Sequence, residues 1–402
     1  MTESRLSPRV AAIAPSATLK VDNKAKALKA EGRPVISYAA GEPDFATPAH
    51  VVEAALEAVK DPKNHKYTAN VGLPELRDAI AAKTRRDSGL DVPASRILVT
   101  NGGKQAVFQA INAVVGEGDD VLLPTPAWTS YVEVIKIAGG NTVEVFAGAD
   151  QNYKVTPEQL EAAFTPNTKA IIFVSPSNPT GAVYTPEETR AIGEWIEKRG
   201  IFVIADEIYQ NLTYDGVKAT SIVEAVPTLD SKTILVNGVA KSYAMTGWRL
   251  GWMVGPEDVI AGAANMQSHL TSNVNNIAQR AALAALTGPT EPIEEFRLAF
   301  DRRRKLMVEE LSKVPGFKVP TPTGAFYVYA DVNALLGKEY DGKVINTSLE
   351  LADYILDKAE VAIVPGEAFG PSGYVRLSYA LGDDQILEGV QRIQKLFADV
   401  EL

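Results

Sequence analysis

Val236–Trp252 reads V-N-G-V-A-K-S-Y-A-M-T-G-W-R-L-G-W. One lysine, Lys241, lies among small and apolar residues, and one arginine, Arg249, follows eight positions on. The flanks read as strands, Ile234–Val236 and Arg249–Val254, joined by a loop that carries the lysine. An ammonium ringed by low-polarity side chains loses solvation, and its pKa falls. Such an amine is nucleophilic near neutral pH; the competing reading is an apolar strand and turn whose lysine snorkels to water. Gly238 and Ala240 leave room for a planar group beside the amine. Arg249 offers a fixed fork of donors that suits a phosphate.

Outward from this stretch, short apolar runs recur at Ile97–Thr100, Asp120–Leu123, Thr142–Phe146, Ala170–Ser175 and Phe202–Asp206. Helical patterns separate them, as at Glu75–Ser88 and from Asn101–Lys104 through Val115. Continuous apolar runs between helices indicate buried parallel strands with helices on both faces. Glu291–Leu311 reads as one long helix with Ile293, Phe296, Phe300, Met307 and Leu311 near one face. Beyond it the pattern changes to strands at Ala325–Ala330, Val361–Val364 and Tyr374–Tyr379, with helices at Ser348–Lys358 and Asp384–Ala398. Before the large region, Ser7–Leu19 reads as an extended arm and Val35–Ala40 as a strand. Thr47-Pro48 then starts a helix over His50–Val59. The expected organisation is α/β: residues 1–48 as arm and part of a small domain, 49–290 as a large domain, and 291–402 as linking helix and smaller α/β domain.

At 402 residues the chain has length for roughly two or three domains. Forty Lys and Arg against fifty Asp and Glu give a net charge of −10, which argues against nucleic acid as a bulk partner. With no cysteine, disulfides, thiolate nucleophiles and Cys-ligated zinc are excluded, and three histidines leave little for a His-rich metal site. The opening M-T-E-S-R-L-S-P-R-V lacks an apolar run behind its charges, and no segment is long and apolar enough to span a membrane. The expectation is a cytoplasmic protein with no membrane partner.

Ligands of open α/β sheets bind at the carboxyl ends of the strands. Ile97–Thr100 ends in Asn101-Gly102-Gly103-Lys104, a helix start whose amides point along the positive end of the helix dipole and suit a phosphate. Ala170–Ser175 ends in P-S-N-P-T-G, which places Asn178 in a proline-bounded turn. Phe202–Ala205 ends in Asp206-Glu207-Ile208-Tyr209; Asp206 is either a buried carboxylate needing a cationic or hydrogen-bonding partner, or a helix N-cap. Together these ends specify one ligand. The glycine-rich start and Arg249 take a phosphate, Asp206 pairs with a pyridinium nitrogen, Asn178 and Tyr209 bind a phenolate oxygen, and Lys241 links to an aldehyde. That is a site for pyridoxal 5'-phosphate.

The motifs also carry a resemblance. P-S-A-T (Pro15–Thr18), A-G-E-P-D-F (Ala40–Phe45), K-Y-T-A-N-V-G-L-P-E-L-R (Lys66–Arg77), N-G-G-K-Q-A, P-S-N-P-T-G, A-D-E-I-Y, A-K-S-Y-A-M-T-G-W-R-L-G, G-A-F-Y (Gly324–Tyr327) and V-R-L-S-Y-A (Val375–Ala380) span nearly the whole chain. In this order they resemble the class I pyridoxal-phosphate-dependent aminotransferases of fold type I, in particular the bacterial aspartate aminotransferase branch. The resemblance implies a large domain with a mostly parallel seven-stranded sheet between helices, a smaller α/β domain, and a homodimer with active sites at the subunit interface. It implies Lys241 as the covalent and proton-moving lysine, with Asp206, Asn178 and Tyr209 on the cofactor ring and Trp128 stacked on it. The amides of Gly103 and Lys104 with Arg249 are implied for the phosphate, and Tyr67 for the same phosphate from the neighbouring subunit. Arg376 is implied for the substrate α-carboxylate, with Gly41 and Asn178 assisting.

Two departures from the family pattern matter. Gly238 stands where the family has a phosphate-binding serine. No arginine occurs in Ser268–Asn276, so Lys104 and Thr18 become the candidates for reading an acidic side chain. The implied activity is ping-pong transfer of an amino group between L-aspartate or L-glutamate and a 2-oxo acid such as 2-oxoglutarate. Alternatives on the same scaffold are aromatic, alanine or prephenate-type aminotransferases and a β-lyase; Ala14, just before P-S-A-T, speaks against prephenate. A non-catalytic regulatory domain ranks last, since the chain lacks a basic N-terminal module.

Overall fold

A computed structural model describes residues 5–400; the outermost residues of the expected arm (1–4) and of the small domain (401–402) lie outside the described residues. The centre is a seven-stranded sheet in the order β2-β8-β7-β6-β5-β3-β4. These strands are β2 (Ile97–Thr100), β3 (Asp120–Thr125), β4 (Asn141–Phe146), β5 (Thr168–Val174), β6 (Phe202–Asp206), β7 (Thr233–Gly238) and β8 (Gly251–Val254). β8 alone runs antiparallel to its neighbours. Alternate residues enter opposite apolar cores: Ile97, Val99, Val203 and Ala205 on one face, Leu98, Ile204, Ile234 and Val236 on the other. Both faces are covered, so the strands read as unbroken apolar runs, and each fully buried Ile, Leu or Val contributes about 1.5–3 kcal/mol.

A third core surrounds a three-stranded antiparallel sheet in which β14 (Tyr374–Ser378) lies between β13 (Val364–Pro365) and β9 (Tyr327–Asp331). The helix Glu291–Leu311 joins the regions. Its Ile293 touches the core of the large sheet, while Phe300, Met307 and Leu311 are buried in the third core. Arg303 near its middle forms a two-pronged pair with Asp44, at 2.8 and 3.0 Å.

Several expectations are corrected. The arm is helical, not extended: α1 (Pro8–Ala11) is followed by α2 (Ala17–Ala30), which is capped by Ser16. The strand expected over Val35–Ala40 shrinks to β1 (Ile36–Ser37), paired with β12 (Val361–Ala362). The run Val361–Val364 is two strands, because the chain changes partner from β1 to β14. Arg249 precedes β8 in a left-handed turn with φ of 52°. A hairpin of β10 (Lys338–Tyr340) and β11 (Lys343–Ile345), turning at Asp341-Gly342, went unforeseen. The helix expected over His50–Val59 is α3 (Ala49–Lys60), and Glu75–Ser88 lies within α4 (Pro74–Ser88).

Candidate active site

The carboxyl ends of β2, β5, β6 and β7 open into one cavity of about 450 Å³. Thr18, Gly41, Gly103, Lys104, Trp128, Asn178, Asp206, Tyr209, Lys241, Arg249 and Arg376 all line it. Of the residues singled out from the sequence, Tyr67 and Gly238 stand outside, Tyr67 90% exposed.

β2 delivers one corner of the cavity. The chain turns at Gly102, with φ of +84°, into α5 (Gly103–Val114). The first amides of a helix lack intrahelical partners, so those of Gly103 and Lys104 face the cavity as donors. The corner is tight: a Cβ on Gly102 would lie 2.7 Å from Arg249 Nη2, and one on Gly251 would lie 2.5 Å from Gly103 N. Arg249 is fixed by donating from Nη1 to the carbonyl of Thr246 at 2.9 Å. Gly238 plays no part in shaping this space, contrary to expectation. A Cβ there would meet Leu250 O at 3.0 Å and Gly251 Cα at 3.1 Å, so the glycine serves the approach of β8. Ala240 does line the cavity.

Asp206 ends β6, and no helix follows, so the N-cap reading falls. Its Oδ1 accepts from the amide of Ile208 at 3.1 Å and its Oδ2 from the hydroxyl of Tyr131 at 2.8 Å. Burial raises its pKa, while the Tyr131 hydroxyl, the Ile208 amide and the charge of Lys241 pull it down. Trp128 stands edge-on to Tyr131 at 5.3 Å, and Lys104 Nζ lies 5.0 Å from the Trp128 ring centre. Burial and the charge of Arg249 lower the Lys104 pKa.

Lys241 is half-buried, with the cavity open above it, but its amine is ringed by protein and donates to the carbonyl of Gly41. Desolvation lowers its pKa to about 8, with Arg376 and Arg249 acting the same way and Glu42 opposing. Tyr209 is buried, and its hydroxyl shares a 2.9 Å hydrogen bond with that of Tyr327. Arg376 on β14 is 2% exposed; Nη1 donates to Asn178 Oδ1 at 3.0 Å and Nη2 to the carbonyl of Ala39 at 2.8 Å.

Sequence reasoning gave no role to Tyr131, Tyr327, Asp22, Lys26 or Glu42, all of which line the cavity. Tyr131 sits three residues after Trp128 and Tyr327 ends G-A-F-Y, so both lay beside motifs already noticed. α2 brings Thr18, Asp22 and Lys26 to the cavity, the last two paired at 2.6 Å.

A nucleophilic amine, a buried carboxylate, an anion corner and a desolvated guanidinium thus converge in one space. The chain is 58% identical to an aspartate aminotransferase of Streptomyces avermitilis, over 100% of this chain and 98% of the relative. It is 44% identical to an aspartate/prephenate aminotransferase of Cereibacter sphaeroides, over 98% of each. The crystal structure of an aspartate aminotransferase from Rhizobium meliloti superimposes with a TM-score of 0.94 at 40% identity, covering 98% of this chain and 99% of that one. The family model for class I and II aminotransferases matches residues 33–393. The fold is therefore the fold type I arrangement, and the chain belongs to the class I and II aminotransferases.

Proposed function

We propose that this protein is a pyridoxal 5'-phosphate-dependent aminotransferase moving an amino group between L-aspartate or L-glutamate and a 2-oxo acid such as 2-oxoglutarate. The observation that carries the reading is the desolvated Lys241 amine sharing one cavity with Asp206, the free α5 amides and Arg376. The aspartate aminotransferase names of relatives across the full chain support the substrate class.

The residues present fit the cofactor. The Gly103 and Lys104 amides with Arg249 would hold its phosphate, Asp206 would pair with its ring nitrogen, Tyr209 and Asn178 would bind its ring oxygen, and Trp128 would pack against the ring. When bound, pyridoxal phosphate supplies an electron sink for the bond broken at the substrate's Cα. Lys241 would bind the aldehyde and would serve as general base for the proton at the substrate's Cα; an amine titrating near pH 8 suits that task. Asp206 keeps its ring partner protonated. Arg376 binds the α-carboxylate in two-pronged fashion with help from Asn178 and Gly41, and Lys104 and Thr18 read the distal carboxylate. The helical arm α2 lines the cavity and is placed to exclude water.

The domain division follows 1–48, 49–290 and 291–402, with the protein working as a cytoplasmic homodimer. Val52, Leu56 and Val59 form an exposed apolar face on α3, and Tyr67 stands beyond it in solvent. This supports a partner copy covering α3 and receiving Tyr67 at its phosphate. No described helix is long and apolar enough to cross a membrane. Use of prephenate is a second reading, favoured by the aspartate/prephenate names of several relatives.

The test is the visible spectrum of the purified, cofactor-loaded protein. L-Aspartate alone is expected to bleach the yellow band, and 2-oxoglutarate to restore it. A band indifferent to aspartate removes the substrate class, and full turnover by Lys241→Ala removes the whole assignment.

A further inference from the structure

We propose that Phe369 is a positioning residue for Arg376: its ring holds the guanidinium in register, and its backbone ties that register to the Trp128 loop. The proposal rests on the reading of Arg376 as the carboxylate-binding residue.

Arg376 is 2% exposed, yet it donates to an amide oxygen and a backbone carbonyl, not to a carboxylate. Two of the guanidinium's five donors are spent on these partners, and Nε is buried without one. A charge so poorly compensated needs another source of stabilisation. It comes from ring faces: the guanidinium carbon lies 4.4 Å from the centre of Tyr327 and 5.0 Å from that of Phe369. An aromatic face attracts the cation through its quadrupole and leaves the N–H edge free. A neighbouring carboxylate would stabilise the charge equally well, but it would occupy the donors that an incoming carboxylate requires.

The two rings differ in what they are attached to. Tyr327 is fixed in β9 and bonded to Tyr209. Phe369 lies in the turn between β13 and β14, 3% exposed, with Tyr329 edge-on at 6.0 Å. Its carbonyl accepts from the amide of Ala127 at 2.9 Å, one residue before Trp128. Phe369 therefore touches the guanidinium through its ring and the Trp128 loop through its backbone. Losing the ring leaves the backbone tie in place but lets the guanidinium settle out of line.

The experiment uses the cofactor-loaded enzyme and succinate, a dicarboxylate with no amino group to transfer. Its Kd is read from the perturbation of the cofactor absorbance, alongside kcat and KM for L-aspartate. Phe369→Leu is expected to raise the succinate Kd and the aspartate KM about tenfold, with kcat within about twofold and cofactor content unchanged. Phe369→Tyr, which keeps the ring, is expected to stay within about twofold of the parent. Phe369→Met is carried in parallel, so that a folding defect in the leucine variant does not decide the outcome. Arg376→Lys is the control on the underlying reading. If it leaves succinate binding unchanged, the carboxylate role of Arg376 falls and this proposal falls with it. If Arg376→Lys weakens binding but Phe369→Leu and Phe369→Met do not, the positioning role alone is overturned. Equal damage from Phe369→Tyr and Phe369→Leu, or a loss of kcat with cofactor content, also overturns it, because the ring then serves only packing.

Discussion

Asp206 and Glu207 are consecutive, both acidic and both 6% exposed, yet they belong to different regions of the molecule. Successive residues of a strand point to opposite faces. Asp206 follows the face of Ile204 into the ligand cavity, and Glu207 follows the face of Val203 and Ala205 toward α4. Each oxygen of Asp206 has a donor, Tyr131 or Ile208. Glu207 accepts from Ser88 Oγ at 3.1 Å, and the Ser221 hydroxyl beside it also lowers its pKa. The nearby Lys83 is committed to an ion pair with Asp87. Burial accordingly pushes the Glu207 carboxyl up to about 7. The difference is one of degree: burial raises both carboxyls, but a donor on each oxygen of Asp206 and the charge of Lys241 oppose its rise, whereas Glu207 is left close to neutrality.

The contrast is tested most severely by amide substitutions. Asp206→Asn keeps the shape and removes the charge facing a buried cation, a loss on the order of 3–5 kcal/mol, so kcat/KM for L-aspartate should fall about a thousandfold. Glu207→Gln should stay within about threefold, since it mimics a group already near neutrality. Equal losses in the two variants would erase the distinction. Tyr131→Phe comes next. It deletes the donor to Asp206 Oδ2, and a hydrogen bond to a charged group contributes about 1.5–3 kcal/mol, so kcat/KM should drop about tenfold to hundredfold. A Tyr131→Phe enzyme with parental kcat/KM would show that the Ile208 amide suffices.

A smaller effect separates the two acids through Lys241, whose pKa of about 8 includes an upward pull from Asp206 and none resolved from Glu207. The free amine reacts, so covalent uptake of cofactor by the apoprotein should quicken as pH rises through about 8 and then level off. In Asp206→Asn the midpoint should move lower; in Glu207→Gln it should not move. Stopped-flow absorbance against pH decides, and identical midpoints in both variants would refute the coupling.

Much of this architecture was legible because it is buried on two faces. Runs such as Ala170–Phe173 carry no polar alternation, and that absence identifies an interior strand flanked by helices. The site was legible wherever chemistry stood at a strand end, as with Asn178, Asp206 and Lys241. What stayed hidden has physical reasons. α2 buries only Ala25 completely, so its sequence shows little helical periodicity, although Ser16 was available as a cap signal. Asp341-Gly342 was an overlooked hairpin signal, with φ of 51° and 80°. Tyr131 and Tyr327 sit in apolar company, and a sequence does not tell a tyrosine buried for its ring from one buried for its hydroxyl. Only the tertiary meeting with Asp206 and Tyr209 separates them. Phe369 is the extreme case, since it meets Arg376 only across the β13–β14 turn and Ala127 only through the tertiary fold.

The smallest effect expected is on stability, and its sign follows from the direction of the Glu207 shift. In the unfolded chain this carboxyl titrates near its ordinary 4.5; in the folded one it titrates at about 7. Between those values the folded protein holds a proton that the unfolded chain has released, so the contribution of Glu207 to stability declines as pH rises from about 4.5 to about 7 and stays at its lower level above. The groups facing it are Lys83 and Asp87 from α4 and Asp206 from β6; Lys83 opposes the decline and Asp206 adds to it. Glu207→Gln has no proton to lose. Its melting temperature relative to the parent should therefore be higher at pH 8 than at pH 5, by a few degrees, since each kcal/mol moves a large domain by about 2 °C. Scanning calorimetry of both proteins across that range is the check. Parallel profiles would mean that Glu207 ionises freely in the fold, and that the two acids differ in the direction they face but not in how their charge is supplied.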